Sequence, residues 1–246
     1  SLGGEGISLS KHLELLKNGA IGLADDDFTP PIQLLKQGFS LGEMKKSPIL
    51  VAPRDKSLQA GGISRQSVET LRAGWAVDPI ESEILPLVQL LELHKQNPDI
   101  SLRLMNISTA EGVSILTHAY TKPMATVQWW HLVNDNSNLS PFDIGWSVTP
   151  SLGSTEDRAS LIKGLEDDVL TAISVHSTPT DDSETKLPTD KRKKGISGYN
   201  LVLPLLWEQL VNKSGWKVEK LWEKISFGPS QLLNQTEEKL KINSNR

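Results

Sequence analysis

The sequence contains no cysteine among its 246 residues, which excludes disulfides and thiolate metal sites. A bound metal would have to use histidine and carboxylate ligands. No apolar run reaches the length of a membrane span, and the N-terminus lacks the basic start and apolar core of a signal peptide. The net charge of −4 lacks the basic excess with which nucleic-acid-binding proteins contact phosphates. We therefore expect a cytoplasmic protein with neither a nucleic-acid nor a membrane partner.

The segment from Ser101 to Leu132 has the pattern of a strand, a helix and a second strand. Ser108 and Thr109 are N-cap residue types in front of an apolar helical face, and Lys122 with the following proline ends that pattern before a second apolar run. Such a βαβ unit implies parallel strands joined by a right-handed crossover. Polar residues follow each strand, which makes the strand ends the place to look for function.

The same alternation recurs along the whole chain. Strands are predicted near residues 20–24, 48–52, 101–107, 124–130 and 170–175. This α/β pattern is typical of a (β/α) barrel or of an open doubly wound sheet. Neither GxGxxG nor GxxxxGK[ST] follows any of these strands, which favours the barrel over a nucleotide-binding open sheet.

The length is within the range of one domain, and we predict a single partial barrel domain over residues 1–246. Residues 181–194 are polar, charged and aperiodic, and we interpret them as a mobile loop. The basic run 191–194 could suggest a nucleic-acid contact, but nearby acidic residues balance it, which favours a solvated loop.

At the five strand ends the sequence resembles the dihydroorotase branch of the amidohydrolase superfamily, and within it the cyanobacterial dihydroorotase-like proteins. The family's HCED, HVSTA, PHHL and DHAPH segments correspond to APRD from Ala52, NISTA from Asn106, WWHL from Trp129 and HSTPT from His176. The resemblance covers nearly the whole chain in order. It implies a TIM-like (β/α) barrel of the amidohydrolase type, with about five of the eight strand-helix units in this chain.

The resemblance also implies a chemistry, which is zinc-dependent hydrolysis of a cyclic amide. In the family, histidines and an aspartate at the strand ends hold zinc, and zinc activates a water molecule. Four of these chemical positions have changed here, at Ala52, Asn106, Trp130 and His176, and the family's HxH pair has no counterpart. We therefore predict a catalytically lapsed dihydroorotase-like homologue of pyrimidine biosynthesis, a structural or regulatory subunit with no metal or other cofactor.

Two alternatives stay open at this stage. The first is a working zinc-dependent amidohydrolase, a dihydroorotase whose remaining metal ligands lie outside this chain. The second is a sugar- or small-molecule-binding barrel, which rests only on the fold and on the seven tryptophans. An HxH motif after an apolar strand upstream of this sequence would favour the first alternative.

The candidate site residues follow from the strand ends. Asp55 and His176 are the candidates for catalysis, and His131 with His176 is the candidate pair for a metal. The candidates for substrate binding are Arg54, Asn106 and Thr149; Arg54 can either clamp an anionic substrate or pair internally with Asp55.

Two further features concern the interior and the first strand end. Trp129 and Trp130 are predicted on opposite faces of a strand, so that one of them plugs the barrel interior. The three aspartates at 25–27 can supply a bridging carboxylate or cap a helix.

Five strands cannot close an eight-stranded barrel, and they leave two strand edges to be covered. By the resemblance, the family's first two strands and most of its third lie outside this sequence. We expect a complementary N-terminal segment or a second copy of the chain to cover the open edge. By analogy with inactive dihydroorotase homologues, aspartate transcarbamoylase is the expected partner protein.

Overall fold

A computed structural model describes residues 7–25, 27–41, 46–138, 144–179, 181–188 and 191–237. Five strands form one parallel sheet in the order in which they occur along the chain. They are β1 (Leu23–Asp25), β2 (Ile49–Val51), β3 (Leu102–Leu104), β4 (Met124–Gln128) and β5 (Ala172–Ser174). Sequential parallel strands connected through helices describe an arc of a (β/α) barrel. All five predicted strands are confirmed.

One helix precedes the first strand, and the others lie between the strands and after the last one. They are α1 (His12–Lys17), α2 (Ile32–Ser40), α3 (Lys56–Gln59), α4 (Val68–Arg72), α5 (Glu81–Gln96), α6 (Ala110–His118), α7 (Trp130–Val133), α8 (Thr155–Glu166), α9 (Asp182–Thr185), α10 (Tyr199–Leu206), α11 (Val218–Trp222) and α12 (Gly228–Leu232). Wider π-helical turns continue α10 over Trp207–Lys213 and α11 over Glu223–Phe227. Within the described ranges, no helix is long and apolar enough to cross a membrane.

The core lies between the sheet and the helices that connect its strands. Leu102 and Leu104 of β3 are fully buried, and Arg103 between them is only half-buried, as the alternation of a strand requires. On α5, Leu87, Leu90 and Leu93 are buried apolar residues, whereas Val88 is half exposed. The helix therefore packs against the core through the face that contains Leu87 and Leu90, and Val88 lies outside that face.

Hydrogen bonds fix where the helices after β3 and β4 begin. Thr109 caps α6 by accepting a hydrogen bond from the Gly112 backbone N–H at 3.0 Å. Ser154 and Asp157 form a reciprocal capping box at the start of α8. The second oxygen of Asp157 accepts from the Ala110 backbone N–H at 2.8 Å, so that one carboxylate ties the starts of α6 and α8 together. The predicted helix start at Ser108 and Thr109 is confirmed.

The C-terminal helices cover the amino ends of the strands. Lys224 is buried and donates to Asp168 Oδ1 at 2.6 Å, just before β5. Arg103 of β3 donates from Nε to the Leu232 carbonyl at 3.0 Å. This packing holds the C-terminal helices against β3 and the start of β5.

The sequence prediction for Trp129 and Trp130 was wrong. Strand β4 ends at Gln128, and Trp130 already belongs to α7, so the two tryptophans do not alternate across a strand. Their rings meet edge to face with centroids 5.2 Å apart, and neither ring lines the cavity at the strand ends. On α10 and its continuation, Leu203 and Trp207 are substantially exposed. The buried residues of that region are Leu206 and Leu210.

The described parts of the segment 181–194, residues 181–188 and 191–194, contain local contacts that the composition did not indicate. Asp181 and Glu184 form a capping box around the short helix α9. Lys194 is only partly exposed, and its Nζ donates to the Gly62 carbonyl at 2.7 Å. The mobility of this segment stays a prediction, but Lys194 is not part of a fully solvated loop.

Candidate functional site

A cavity of about 380 Å³ lies at the carboxyl ends of the strands. Each strand supplies at least one lining residue, either at its last position or in the turn that follows, as expected for a parallel barrel. The lining residues are Asp27, Phe28, Arg54, Gln59, Asn106, Gln128, Thr149, His176, Thr178, Lys194 and Gly195. The predicted residues Arg54, Asn106, Thr149 and His176 are thus brought together.

Asn106 and His176 are in direct contact across the cavity floor. Asn106 Nδ2 lies 3.1 Å from His176 Nε2. The amide oxygen of Asn106 accepts from the Ser174 hydroxyl at 2.5 Å and from the Thr126 hydroxyl at 3.4 Å. Because two hydroxyl donors fix the oxygen side, the N–H side of the amide faces the histidine and donates to it. His176 therefore accepts a hydrogen bond at Nε2, and the Asn106 amide N–H occupies the lone pair of that nitrogen.

The backbone of Asn106 explains how the amide reaches this position. Asn106 has φ of 57°, in the left-handed region, two residues beyond the end of β3. Asparagine tolerates this conformation better than most other residues do. The backbone N–H of Asn106 donates to the Thr126 hydroxyl at 2.9 Å, which holds the turn against β4.

Arg54 follows β2 and is almost completely buried. Its Nε donates to the Asp27 carbonyl at 2.8 Å, and its backbone N–H donates to the Thr29 hydroxyl at 3.0 Å. These bonds hold the guanidinium at the cavity wall. The side chain thereby joins the turns that follow β1 and β2.

Asp55, the neighbouring candidate, caps a helix and does not face the cavity. Its carboxylate accepts from the Ser57 and Leu58 backbone N–H groups at 2.8 and 3.1 Å and so caps α3. The hydroxyl of Ser57, followed by the Leu58 N–H, lowers the pKa of Asp55. Asp55 is not among the residues that line the cavity.

His131 is also directed away from the cavity. It lies in α7, is buried, and its Nε2–H donates to the Pro150 carbonyl at 3.0 Å. Burial lowers the pKa of His131 to about 4, and the nearby Arg65 and Arg54 act in the same direction. The structure therefore does not bring His131 and His176 together as a metal-binding pair.

The described residues do not fit a zinc site. No three histidine, aspartate or glutamate side chains in this part of the chain converge on one point. The cavity instead contains two basic side chains, Arg54 and Lys194, which repel a divalent cation. Zinc needs three or four converging donors, and His176 Nε2 already accepts the Asn106 amide proton.

Sequence reasoning missed several lining residues, and Gln59, Gln128 and Lys194 are those with long polar side chains. Gln128 ends β4 and is buried, and its place directly before the two tryptophans was the available signal. Gln59 approaches Asp78 through its amide nitrogen at 3.5 Å, a long-range contact with no local pattern. Lys194 belongs to the basic run 191–194, whose composition resembles that of a solvated loop.

A buried ionic cluster stands beside the cavity and supports β3. Arg65 lies 3.2 Å from Asp78 Oδ1 and 3.5 Å from Glu83 Oε2. Glu83 accepts from the Ser108 backbone N–H at 3.0 Å, from the Ser108 hydroxyl, and from the Thr109 hydroxyl at 2.6 Å. The cluster thus fixes the chain that follows Asn106.

Comparison with known proteins identifies relatives over almost the whole chain. No protein-family model matches the sequence. A probable dihydroorotase-like protein from Synechocystis sp. is 32% identical over 96% of this chain and 56% of its own length. The predicted resemblance to the dihydroorotase-like branch of the amidohydrolase superfamily is confirmed. A dihydroorotase from Carboxydothermus hydrogenoformans is 25% identical over 93% of this chain and 54% of its own length.

Solved structures agree on the fold. A dihydropyrimidinase from Brevibacillus agri superposes with a TM-score of 0.77 at 14% identity, over 97% of this chain and 57% of its own. A dihydroorotase from Campylobacter jejuni gives a TM-score of 0.65 at 16% identity, over 95% and 63%. The partial (β/α) barrel of the amidohydrolase type is therefore confirmed. The chain spans about half the length of the curated relatives it matches.

Proposed function

We propose that this dihydroorotase-like chain is catalytically lapsed and acts as a structural or regulatory subunit in pyrimidine biosynthesis. One observation carries the proposal, which is the hydrogen bond between Asn106 and His176. It occupies the ring nitrogen of the candidate catalytic histidine with an amide proton. The two basic side chains of the cavity act in the same direction, because they disfavour the divalent cation that the hydrolytic chemistry uses.

The alternative, a zinc-dependent hydrolase completed from outside this chain, would draw on Asp55, His131 and His176. Each of these side chains already forms hydrogen bonds within the chain. Asp55 caps α3, His131 donates to the Pro150 carbonyl, and His176 accepts from the Asn106 amide. Recruiting them for zinc would require all three to change partners.

We expect no zinc-dependent hydrolysis of dihydroorotate by the purified chain. The measurement is an activity assay with added zinc, with the Campylobacter jejuni dihydroorotase in the same buffer as the positive control, together with metal analysis of the protein. The expected zinc content is well below one per chain. Turnover that requires zinc and disappears in His176→Asn would overturn the proposal and establish the hydrolase.

We further propose that additional polypeptide covers the β1 edge, either a complementary N-terminal segment or a second copy of this chain. Among the described strands, β1 pairs only with β2. A mainly apolar groove of about 320 Å³ follows this edge, and its walls include Leu23, Leu34 and Phe39. An uncovered parallel edge beside an apolar groove promotes association.

For the 246-residue chain alone, we expect native mass spectrometry to show a dimer. Ala24→Lys places a charge on β1 and should shift the mass to that of a monomer, because a buried unpaired charge opposes edge pairing. Tyr120→Lys is the control at a highly exposed position after α6. A monodisperse wild-type monomer with cooperative unfolding would contradict the proposal. Repeating the measurement with aspartate transcarbamoylase added tests that protein as the partner.

A further inference from the structure

The strand-end cavity concentrates positive charge below the protein surface. Arg54 is 5% exposed. Burial lowers the pKa of Lys194, and the nearby positive charge of Arg54 lowers it further. The carboxylate of Asp78 raises the pKa and so offsets part of this decrease. The only acidic residue among the described lining residues is Asp27, which is exposed at the rim. Two partly desolvated cations therefore face a cavity whose floor is uncharged.

The floor also contains an acceptor without a partner. Gln128 is 2% exposed, and its Oε1 has no hydrogen-bond partner among the described residues. A buried acceptor that lacks a donor destabilises the folded protein, and such groups in native structures commonly mark a ligand or a bound water molecule. A ligand in this cavity would therefore gain from offering one hydrogen to Gln128.

We propose that the cavity binds a small hydroxylated oxyanion. Its charged oxygens contact Arg54 and Lys194, and its hydroxyl donates to Gln128 Oε1. Hydrogen bonds in which one partner is ionised are roughly twice as strong as neutral ones, which makes the two basic residues the main source of affinity. A volume of about 380 Å³ is enough for a small organic ligand.

The inference rests on the proposed non-catalytic function, because zinc in the same cavity would add the charge that Arg54 and Lys194 already supply. It deepens that function by giving the lapsed site a use. A subunit that binds an anion at the strand ends can report the concentration of that anion to a partner.

A competing explanation is that Lys194 is purely structural. Its Nζ donates to the Gly62 carbonyl, and this bond attaches the end of the 181–194 segment to the loop after α3. A tether of this kind needs no ligand. The two explanations differ in whether added anions interact with the folded protein.

The test is isothermal titration calorimetry on the full chain with L-malate and succinate at constant ionic strength in chloride. These two dicarboxylates differ by one hydroxyl group. We expect one-site binding, with malate binding at least about fivefold more tightly than succinate because only malate can donate to Gln128. Lys194→Met should weaken the binding of both ligands about tenfold or more.

Two further variants separate the contributions. Gln128→Met is expected to abolish the difference between malate and succinate while leaving succinate binding nearly unchanged. Lys193→Met is the matched control, since Lys193 is the exposed neighbour in the same basic run. Circular dichroism checks that each variant is folded. If Lys194→Met does not fold, Gln128→Met still tests the inference.

Absence of malate binding to the folded wild-type chain would overturn the inference. Equal malate affinities of the wild type, Lys194→Met and Gln128→Met would overturn it as well. That outcome leaves the proposed function in place. Zinc-dependent hydrolysis of dihydroorotate would instead overturn the proposed function, and the two failures are therefore distinguishable.

Discussion

Replacing Arg65 with methionine will destabilise the protein by about 3–5 kcal/mol, the usual effect of removing one partner from a buried ionic cluster. The Arg65 side chain is 7% exposed, and the carboxylates of Asp78 and Glu83 that it contacts are 3% and 0% exposed. Methionine fills much of the same volume but supplies no charge and no donor. Two buried carboxylates would then lack their counterion.

The loss extends beyond the ion pairs because Arg65 has several other acceptors. Its Nη1 donates to the Pro79 carbonyl at 2.7 Å and to the Ser82 hydroxyl at 3.0 Å. Its Nη2 donates to the Ser108 hydroxyl at 3.2 Å. Arg65 therefore joins the start of α5 to the turn after β3, and we expect the variant to loosen the cavity floor at Asn106 as well.

Urea unfolding followed by far-UV circular dichroism measures this effect. Lys163→Met is the control, because the Lys163–Asp167 pair is an exposed contact with side chains 68% and 53% exposed. Exposed pairs contribute little to stability, because water screens the charges. Equal unfolding midpoints for Arg65→Met and wild type would show that the cluster does not stabilise the fold.

The position of the cavity could be predicted from the sequence because parallel strands place their carboxyl ends together. Arg54, Asn106 and His176 each follow an apolar strand, and they line one cavity although they are far apart in the chain. Recognising the strands was sufficient to group these residues. The same rule explains why the alternation of strands and helices was enough to predict the parallel sheet.

The orientation of individual side chains could not be predicted in this way. His131 follows β4 as His176 follows β5, but α7 begins at Trp130 and turns His131 into the protein interior. Asp55 adjoins Arg54, yet two local backbone N–H groups capture its carboxylate. Lys194 is held at the cavity by a hydrogen bond to the Gly62 carbonyl, which is distant in sequence. Nothing in the basic run 191–194 itself indicates this contact.

Acidification from pH 6.5 to pH 4 will remove about 3 kcal/mol of stability through His131 alone. Burial lowers its pKa from 6.5 to about 4 in the folded protein. Above pH 6.5 the histidine is neutral in both the folded and the unfolded chain, and this stability is fully present. Between the two values the unfolded chain binds a proton that the folded chain does not, so stability decreases by up to about 1.4 kcal/mol per pH unit.

The neutral ring is also what the local geometry requires. The Pro150 carbonyl accepts the Nε2–H of His131, and a second proton would place an uncompensated charge in the interior near Arg65 and Arg54. Glutamine can keep an N–H donor towards Pro150 without titrating. We therefore expect His131→Gln to flatten the pH dependence between pH 6.5 and 4 while costing little at pH 7.5.

Urea unfolding at half-unit pH intervals compares the two proteins, and His118→Gln serves as the control because His118 is exposed on α6. Carboxylates also titrate at the acidic end of this range, but they are common to all three proteins and cancel in the differences. The difference between wild type and His131→Gln should therefore grow steadily below pH 6.5. A constant difference would mean that His131 has the same pKa in the folded and the unfolded chain, and the buried neutral donor to Pro150 would have to be abandoned.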